Sequence, residues 1–444
     1  MSAASRHRHG GRANEQGAEP LVPIAVLEVE LTRPLESIPL TDPSGRRYVS
    51  ARVLVRLHTK PLGMVDVVPG YGGFLPASYA AVIWQQLADR INLHLRDDGF
   101  PEVVGIGPAG LLGHEAPPCQ ARRREILARA PRATVLVCTR DRPDVLGRTL
   151  SSLGKLEYPD YETIVVDGSS TSESKNLVLF DFPHIRYVRL AGGRLAVGRN
   201  RGLAEASGEI VAFTDDDAVV DRHWLAEHVA AFDDHGRVAC TTGLSVPLEL
   251  ATPAQLWFEE SGAFVEGFER RMIEVAGRGR RSLLPYATGK IGAGVSMAWR
   301  TSVLRRLGGF DLAMDRRGGE DVAAFFDALC AGYQIVYHPS ALVFHEHRRS
   351  HEELRRQIYN HAAALSANLT RCLVTKPDHV YDFAVRVPRG LVYGFHPDSI
   401  RNHQKSAEFP ADLTRVEWLA MPTGPWEYFK GRLEAKRLAA FARG

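Results

Sequence analysis

Hydrophobic and polar positions alternate where the folded part of the chain begins. Val26-Leu27-Glu28-Val29-Glu30-Leu31 and Val53-Leu54-Val55-Arg56-Leu57 carry the two-residue period of half-buried strands, with Asp42-Pro43-Ser44-Gly45 as a turn between them. Ile83, Leu87, Ile91 and Leu95 then recur every fourth residue, and Trp84 widens the same face, which predicts a helix over 78–96. The pattern makes a small α+β module of residues 21–100. Ahead of it, residues 1–20 hold little to bury and are expected to be a disordered tail. After it, 101–131 reads as a linker with a short basic helix beginning at Arg122-Arg123-Arg124.

From 132 the texture becomes regular. Short apolar strands are predicted over 134–138, 163–166, 185–190 and 209–213, alternating with helices over 145–153, 196–206 and 224–232. That alternation argues for an α/β fold, a mostly parallel sheet covered by helices on both faces, over 132–350. Ligands of such sheets bind at the carboxyl ends of the strands. The remaining 351–444 reads as a C-terminal extension. A helix is expected over 361–373, loop-like chain over 376–410, and a last segment, 426–441, with Trp426, Phe429, Leu433, Leu438 and Phe441 among Lys and Arg.

Composition adds limits. The 444 residues are 45% hydrophobic and 24% charged, and 55 Lys+Arg against 52 Asp+Glu leave a net charge of +3. So small a net charge supplies no overall drive toward nucleic acid, which is not an expected partner. The five cysteines, Cys119, Cys138, Cys240, Cys330 and Cys372, form no C-x-x-C pair of the kind that builds a zinc or redox site, and are read as reduced thiols. With no signal-peptide pattern and no apolar run near the roughly 18 residues of a membrane span, a cytoplasmic location is expected. Gly105-Ile106-Gly107-Pro108-Ala109-Gly110 fits G-x-G-x-x-G, but the following Leu-Leu-Gly-His-Glu-Ala-Pro-Pro opens no helix, so a dinucleotide site is set aside.

Chemistry gathers at the predicted strand ends. The first strand runs into Thr139-Arg140-Asp141-Arg142, the second into Asp167-Gly168-Ser169, and the fourth into Asp215-Asp216-Asp217. Three adjacent carboxylates at the end of a buried strand repel one another unless a cation offsets them, and hard oxygen ligands suit Mg²⁺ or Mn²⁺. Further on stand Gly318-Gly319-Glu320-Asp321, where a helix is expected to begin, and His345-Glu346-His347-Arg348.

In this order, the motifs Val137-Cys138-Thr139-Arg140-Asp141-Arg142, Val165-Val166-Asp167-Gly168-Ser169, Ala196-Val197-Gly198-Arg199-Asn200, Phe213-Thr214-Asp215-Asp216-Asp217 and Gly319-Glu320-Asp321 resemble family 2 glycosyltransferases of the GT-A fold. The resemblance covers about half of the chain, from Ala133 to roughly His347. It implies a GT-A-like nucleotide-diphospho-sugar transferase fold, with the N-terminal module and the C-terminal region as additions. It also implies transfer of a sugar from a nucleotide-diphosphate donor, a UDP-sugar by default, to a hydroxyl acceptor, with inversion and with Mg²⁺ or Mn²⁺ as cofactor.

The same resemblance distributes roles. Thr139, Arg140, Asp141, Arg142 and Asp167 would line the nucleobase pocket, and Arg199 and Asn200 would face the ribose and diphosphate. For Asn200 a plain place on a helix surface is an equal reading. Asp217 and Asp215 would hold the metal, with Asp216 as a further donor-side contact and His345, or else His347, completing the metal or diphosphate site. Asp321 would be the catalytic base, with Glu320 orienting it or contacting the acceptor, and Gly292, Gly294 and Trp299 would lie on the acceptor side. The basic stretch 270–281 reads equally as a lid or as a solvated loop. Two other functions compete: nucleotidyl transfer, which wants a glycine-rich loop after the first strand that is lacking here, and a non-catalytic nucleotide-sugar-binding scaffold. For the last segment, packing onto the catalytic unit competes with a weak membrane-surface contact. Oligomeric state, sugar and acceptor stay open.

Overall fold

Residues 22–113, 117–192, 194–232, 236–262, 267–275, 282–395, 405–406 and 408–441 are described by a computed structural model. The tail expected over 1–20 lies outside them. The alternating segments become β1 (Ile24–Glu30) and β2 (Ser50–Leu57), which pair in parallel. β2 turns through His58 and Thr59 into an antiparallel β3 (Lys60–Val67). This third strand was hidden by Pro61 and Gly63, which an edge strand tolerates because its outer N–H groups need no partner. Helix α1 (Pro76–Asp97) lies on the sheet and buries Ile83, Leu87, Ile91 and Leu95, the residues whose spacing predicted it. The linker contains α2 (Pro118–Leu127), which starts ahead of the arginine run.

The second sheet is mixed. Its parallel half is β4 (Ala133–Thr139), β5 (Tyr161–Asp167), β6 (Arg186–Arg189) and β7 (Ile210–Asp215). Helices α3 (Pro143–Leu153), α4 (Glu173–Asp181) and α5 (Leu195–Glu205) connect these strands. After β7 come β8 (Ala218–Val220), α6 (Trp224–Ala230), β9 (Val238–Pro247), α7 (Pro253–Glu260), β10 (Arg271–Ile273), β11 (Met297–Arg300), α8 (Thr301–Arg306), α9 (Glu320–Cys330) and β12 (Gln334–His345). Among the described residues the strand order is β10-β12-β9-β11-β7-β4-β5-β6, with β8 paired to β12. β11 runs antiparallel to both β7 and β9, which joins the parallel half to the rest.

The central strands are buried on both faces. Leu136 of β4 packs with Leu203 of α5 and Phe325 of α9, while Val135 and Val137 join Leu146 of α3 and Trp224 of α6 on the opposite face. This is the continuous apolar character of a sheet covered on two sides. Register then decides what meets at its edge: Thr139 pairs with Asp167, and Cys138 with Asp215. The α/β architecture with an N-terminal module is therefore as expected.

The C-terminal extension needs one correction. Helix α10 (His351–Thr375) begins at a capping box in which Ser350 and Glu353 satisfy each other's backbone amides. The chain expected to be loop-like over 376–410 holds helix α11 (Val380–Phe395), with Pro388 inside it. Proline and glycine argued against a helix by propensity, but Val387 of this segment is buried with Tyr286, Phe326 and Cys372, and packing overrides propensity. Helices α12 (Ala411–Ala420) and α13 (Gly424–Phe441) follow and pack on α10. No helix of the described residues is long and apolar enough to cross a membrane.

Candidate active site

β7 ends in Asp215, and the turn after it carries Asp216 and Asp217. The three carboxylates part company at once. Asp216 is turned back into the protein, where Thr139 Oγ1 donates to Oδ2 at 2.8 Å and Arg142 Nη1 donates to Oδ1 at 2.7 Å. Asp217 is buried beside three cationic or potentially cationic groups: Arg142 Nη1 at 3.0 Å, His345 Nε2 at 3.4 Å and Arg348 Nη2 at 3.6 Å. Asp215, half-buried, accepts from Arg199 Nη2 at 3.1 Å.

Arg199 links this strand end to the start of α9. Only 3% exposed, it also donates from Nη1 to Glu320 Oε1 at 2.8 Å and from Nη2 to the Gly294 carbonyl at 3.2 Å. The rings of Phe213 and Phe310 flank it, with their centroids 5.9 and 5.6 Å from its guanidinium carbon. Asp321, next to Glu320, accepts from the Gly294 amide at 2.7 Å through Oδ2 and from the Val322 amide at 2.7 Å through Oδ1. These two amides fix the carboxylate in the first turn of α9.

The cluster holds Asp215, Asp216, Asp217, Glu320 and Asp321 against Arg142, Arg199 and Arg348, so with every carboxyl ionised it is short of positive charge. Burial pushes the Asp216 carboxyl up to about 7 although Arg142 opposes it, and pushes Glu320 up to about 7 although Arg199 opposes it. Asp215 is raised as well, first by burial and then by Asp217, with Arg199 working against both. For Asp217 burial acts in the same upward sense, but His345, Arg142 and Arg348 outweigh it and hold the group well below the usual carboxylate range. Glu320 Oε2 is buried with no hydrogen-bond partner among the described residues. A half-open set of oxygen ligands with too little positive charge fits a hard divalent cation.

Several expected site residues are placed differently. Asp167 is fully buried, its carboxylate taken by the Ser169 amide at 2.7 Å, Tyr187 Oη at 2.7 Å and Arg189 Nη1 at 3.0 Å. Its bonds to Tyr187 and Arg189, which sequence reasoning missed, take up the carboxylate oxygen that the Ser169 amide leaves free. Arg140 is exposed, and Asp141, at φ 54°, accepts from the Ser170 amide and hydroxyl. Asn200 makes a two-way bond with the Phe310 backbone at 2.8 Å each way.

Trp299, expected on the acceptor side, is fully buried and stacks on Phe325 in the core. Gly292 and Gly294 are buried too. A Cβ on Gly294 would come within 2.6 Å of Arg199 and 3.0 Å of Asp321, and one on Gly292, at φ 140°, within 2.4 Å of Thr242. Their smallness makes room for the protein's own groups, Arg199 and Asp321 among them. Of the two histidines, His345 faces Asp217, whereas His347 bonds His345 Nδ1 at 3.0 Å and Glu259 at 2.8 Å. Arg348 was also missed; its signal was its place directly behind the histidines. Of 270–281, the first part forms β10 and residues 276–281 lie outside the described ones.

Comparison with known proteins adds to this geometry. Residues 134–278 match the family described as Glycosyl transferase family 2, and 210–397 match Glycosyl transferase family group 2. Together they run over 134–397, more than half of the chain. The pre-mycofactocin glycosyltransferase of Mycobacterium tuberculosis is 28% identical over 279 residues, 62% of this chain and 54% of that protein. The succinoglycan biosynthesis protein ExoM of Rhizobium meliloti is 31% identical over 226 residues, 47% of this chain and 64% of that protein. The chain thus spans about half to two thirds of the length of these relatives. Among solved structures, a mannosyltransferase from Pyrobaculum calidifontis in complex with GDP-Man and Mn²⁺ aligns with a TM-score of 0.43 and 18% identity, over 71% of this chain and 94% of that one.

Proposed function

We propose that this chain, which belongs to glycosyltransferase family 2, moves a sugar from a nucleotide-diphosphate donor to a hydroxyl acceptor with inversion at the anomeric carbon. The observation that carries this reading is Arg199, which ties the strand-end carboxylate Asp215 to Glu320 beside Asp321. Asp321 is the proposed base. Its carboxylate is fixed by two backbone amides and takes the acceptor proton as the hydroxyl oxygen attacks. Arg142 and Arg348, both near Asp217, favour a diphosphate at this strand end. Asp215 and Asp217, with His345 behind them, would hold Mg²⁺ or Mn²⁺, which when bound supplies charge neutralisation for the departing diphosphate. Arg189, Asp141 and Ser170 rim the place proposed for the base, and uridine is the default.

The test is a thermal-shift panel of UDP, GDP and dTDP with and without Mn²⁺. A nucleotide at about 100 times its Kd stabilises the native state by roughly 2.7 kcal/mol. The expected result is a shift with one nucleotide that needs the metal and is lost in Asp217→Asn. The same shift in excess chelator would sink the metal assignment, and no shift with any nucleotide would sink the donor class. Proton NMR of the first product would give the anomeric configuration, and a retained one would overturn inversion.

Helix α13 leaves Trp426, Phe429 and Leu433 exposed, with Lys430 over the Trp426 ring. This supports a weak contact with a membrane surface. Flotation with anionic liposomes tests it, and a chain that stays at the bottom of the gradient with and without such vesicles removes it.

A further inference from the structure

A second cluster of ligating side chains lies in the N-terminal module, away from the strand-end carboxylates. His58, His94, Asp98 and Cys119 each offer one ligand atom, and these four atoms all lie within 4.8 Å of one another. The two histidines and Asp98 are buried and Cys119 is half-buried. Three of the atoms form a triangle. His58 Nδ1 is 3.2 Å from His94 Nε2 and 2.8 Å from Asp98 Oδ2, and His94 Nε2 is 3.4 Å from the same oxygen. Nitrogen and oxygen ligands at about 2.0–2.1 Å from a tetrahedral zinc stand about 3.3 Å apart, so the triangle has nearly the size of one face of that tetrahedron.

Backbone geometry points the same way. His58 and Thr59 form the two-residue turn between β2 and β3 with φ of 54° and 71°. Such turns favour Asn-Gly, and a β-branched residue at positive φ is strained. The strained turn is held by Glu30, which accepts both amides at 3.1 and 2.8 Å. It delivers a buried imidazole against α1, where His94 and Asp98 are one helical turn apart. Asp98 in turn accepts from the Cys119 amide at 3.0 Å through its other oxygen, which fixes the start of α2 beside the cluster. Strain of this kind persists where the surroundings over-determine it, and functional sites are where it collects.

We propose that His58, His94, Asp98 and Cys119 form a closed, four-ligand structural zinc site that clamps the β2–β3 turn, α1 and α2 together. Thiolate, imidazole and one carboxylate suit Zn²⁺ rather than the Mg²⁺ or Mn²⁺ of an all-oxygen site. With four protein ligands there is no open position for substrate, so the role is mechanical. The clamp also reaches the catalytic unit, because Arg123 of α2 donates to Thr59 Oγ1 at 3.0 Å and to Glu227 of α6 at 2.8 Å. The cysteine count hid this site: its ligands come from a turn and two helices, with no C-x-x-C pair.

The test uses the full chain, prepared without a histidine tag and passed over a chelating resin, with zinc measured by plasma mass spectrometry. About one zinc per chain is expected, in keeping with a tight structural site. Cys119→Ser and His94→Ala should lower it at least about tenfold, as loss of one of four ligands does to a site of this kind, while Asp217→Asn should leave it unchanged. Cobalt loading guards against variants that fail to fold. The wild-type chain should then show the intense visible bands of tetrahedral Co²⁺ and a thiolate-to-cobalt charge-transfer band. A metal content at background with no cobalt bands would overturn the site. So would zinc that survives both ligand substitutions, or zinc that is lost in Asp217→Asn, which would place it among the strand-end carboxylates.

Discussion

Two regions of this molecule gather groups able to hold a cation, and they do it by opposite routes. At the strand ends, carboxylates come from two short runs adjacent in sequence, Asp215 to Asp217 and Glu320-Asp321, and Arg199 ties the two runs together. That cluster is half-open and short of positive charge. In the N-terminal module the groups come from positions 58, 94, 98 and 119, and they are closed in by a turn and two helices. An open, charge-deficient cluster suits a cation that works together with a substrate, and a closed, mixed-ligand one suits a cation that holds structure.

Asp321→Asn breaks the comparison most severely. If the strand-end cluster is the reacting one, transfer should fall by roughly 10²–10⁴-fold, the contribution of a positioned base. Nucleotide affinity, read by titration calorimetry, should stay within a factor of a few, because Asp321 touches Gly294 and Val322 amides and not the proposed donor groups. Affinity lost in step with rate would move Asp321 from base to binding residue.

Arg199→Met acts on the same cluster through stability. The guanidinium is buried between Asp215 and Glu320, and removing one partner of a buried ion network costs about 3–5 kcal/mol. The urea midpoint should drop accordingly. If it does not move, the carboxylates are already neutral without Arg199, and the contrast between the two clusters loses its electrostatic half.

What could be read in the sequence follows from the same contrast. The α/β unit was legible because β4, β5 and β7 are apolar runs that end in polar residues, and the start of α9 because acidic residues open it. The full burial of Trp299 was not legible because a strand pattern says which residues are buried only when both faces are known; β11 is four residues long and its side chains enter the cores on both faces. Asp167 was legible as a strand end but not as a buried residue, since Tyr187 and Arg189, its partners, lie on the next strand. Helix α11 was lost to Pro388, and the histidine and cysteine cluster to sequence separation. Local chemistry was readable, and chemistry assembled by tertiary contact was not.

The junction between the two regions gives a smaller, pH-dependent effect. Glu227 is buried, which raises its carboxyl, but His338 at 2.8 Å and Arg123 at 2.8 Å outweigh that and bring it down to about 2. A carboxylate whose folded value is depressed contributes stability above its unfolded value of about 4.5 and loses it as pH falls toward 2. Glu227→Gln should therefore cost on the order of 3 kcal/mol at pH 7. Its gap to the wild type should narrow between pH 4.5 and 2. A gap that stays constant through that window would mean that Glu227 holds the module by packing alone.

Asn200→Ala gives the smallest effect and separates ligand contact from architecture inside the open cluster. Asn200 sits beside Arg199 on α5, so sequence position alone places it next to the donor. Its amide is instead closed on the Phe310 backbone, giving from Nδ2 to the carbonyl and accepting the N–H on Oδ1. Gly309, at φ 74°, leaves the space, since a Cβ there would stand 2.4 Å from Asn200 Oδ1. Truncation would leave the Phe310 N–H and carbonyl without these two part-buried bonds and cost about 1 kcal/mol. The donor KM should stay within a factor of two or so, since only stability is touched and about 1 kcal/mol leaves the chain folded. A tenfold rise in donor KM at unchanged stability would instead mean that the amide leaves Phe310 when nucleotide binds. Phe310 flanks the Arg199 guanidinium, so a small loss of stability with an intact KM would mark Asn200 as a support of the wall against which that cation is held.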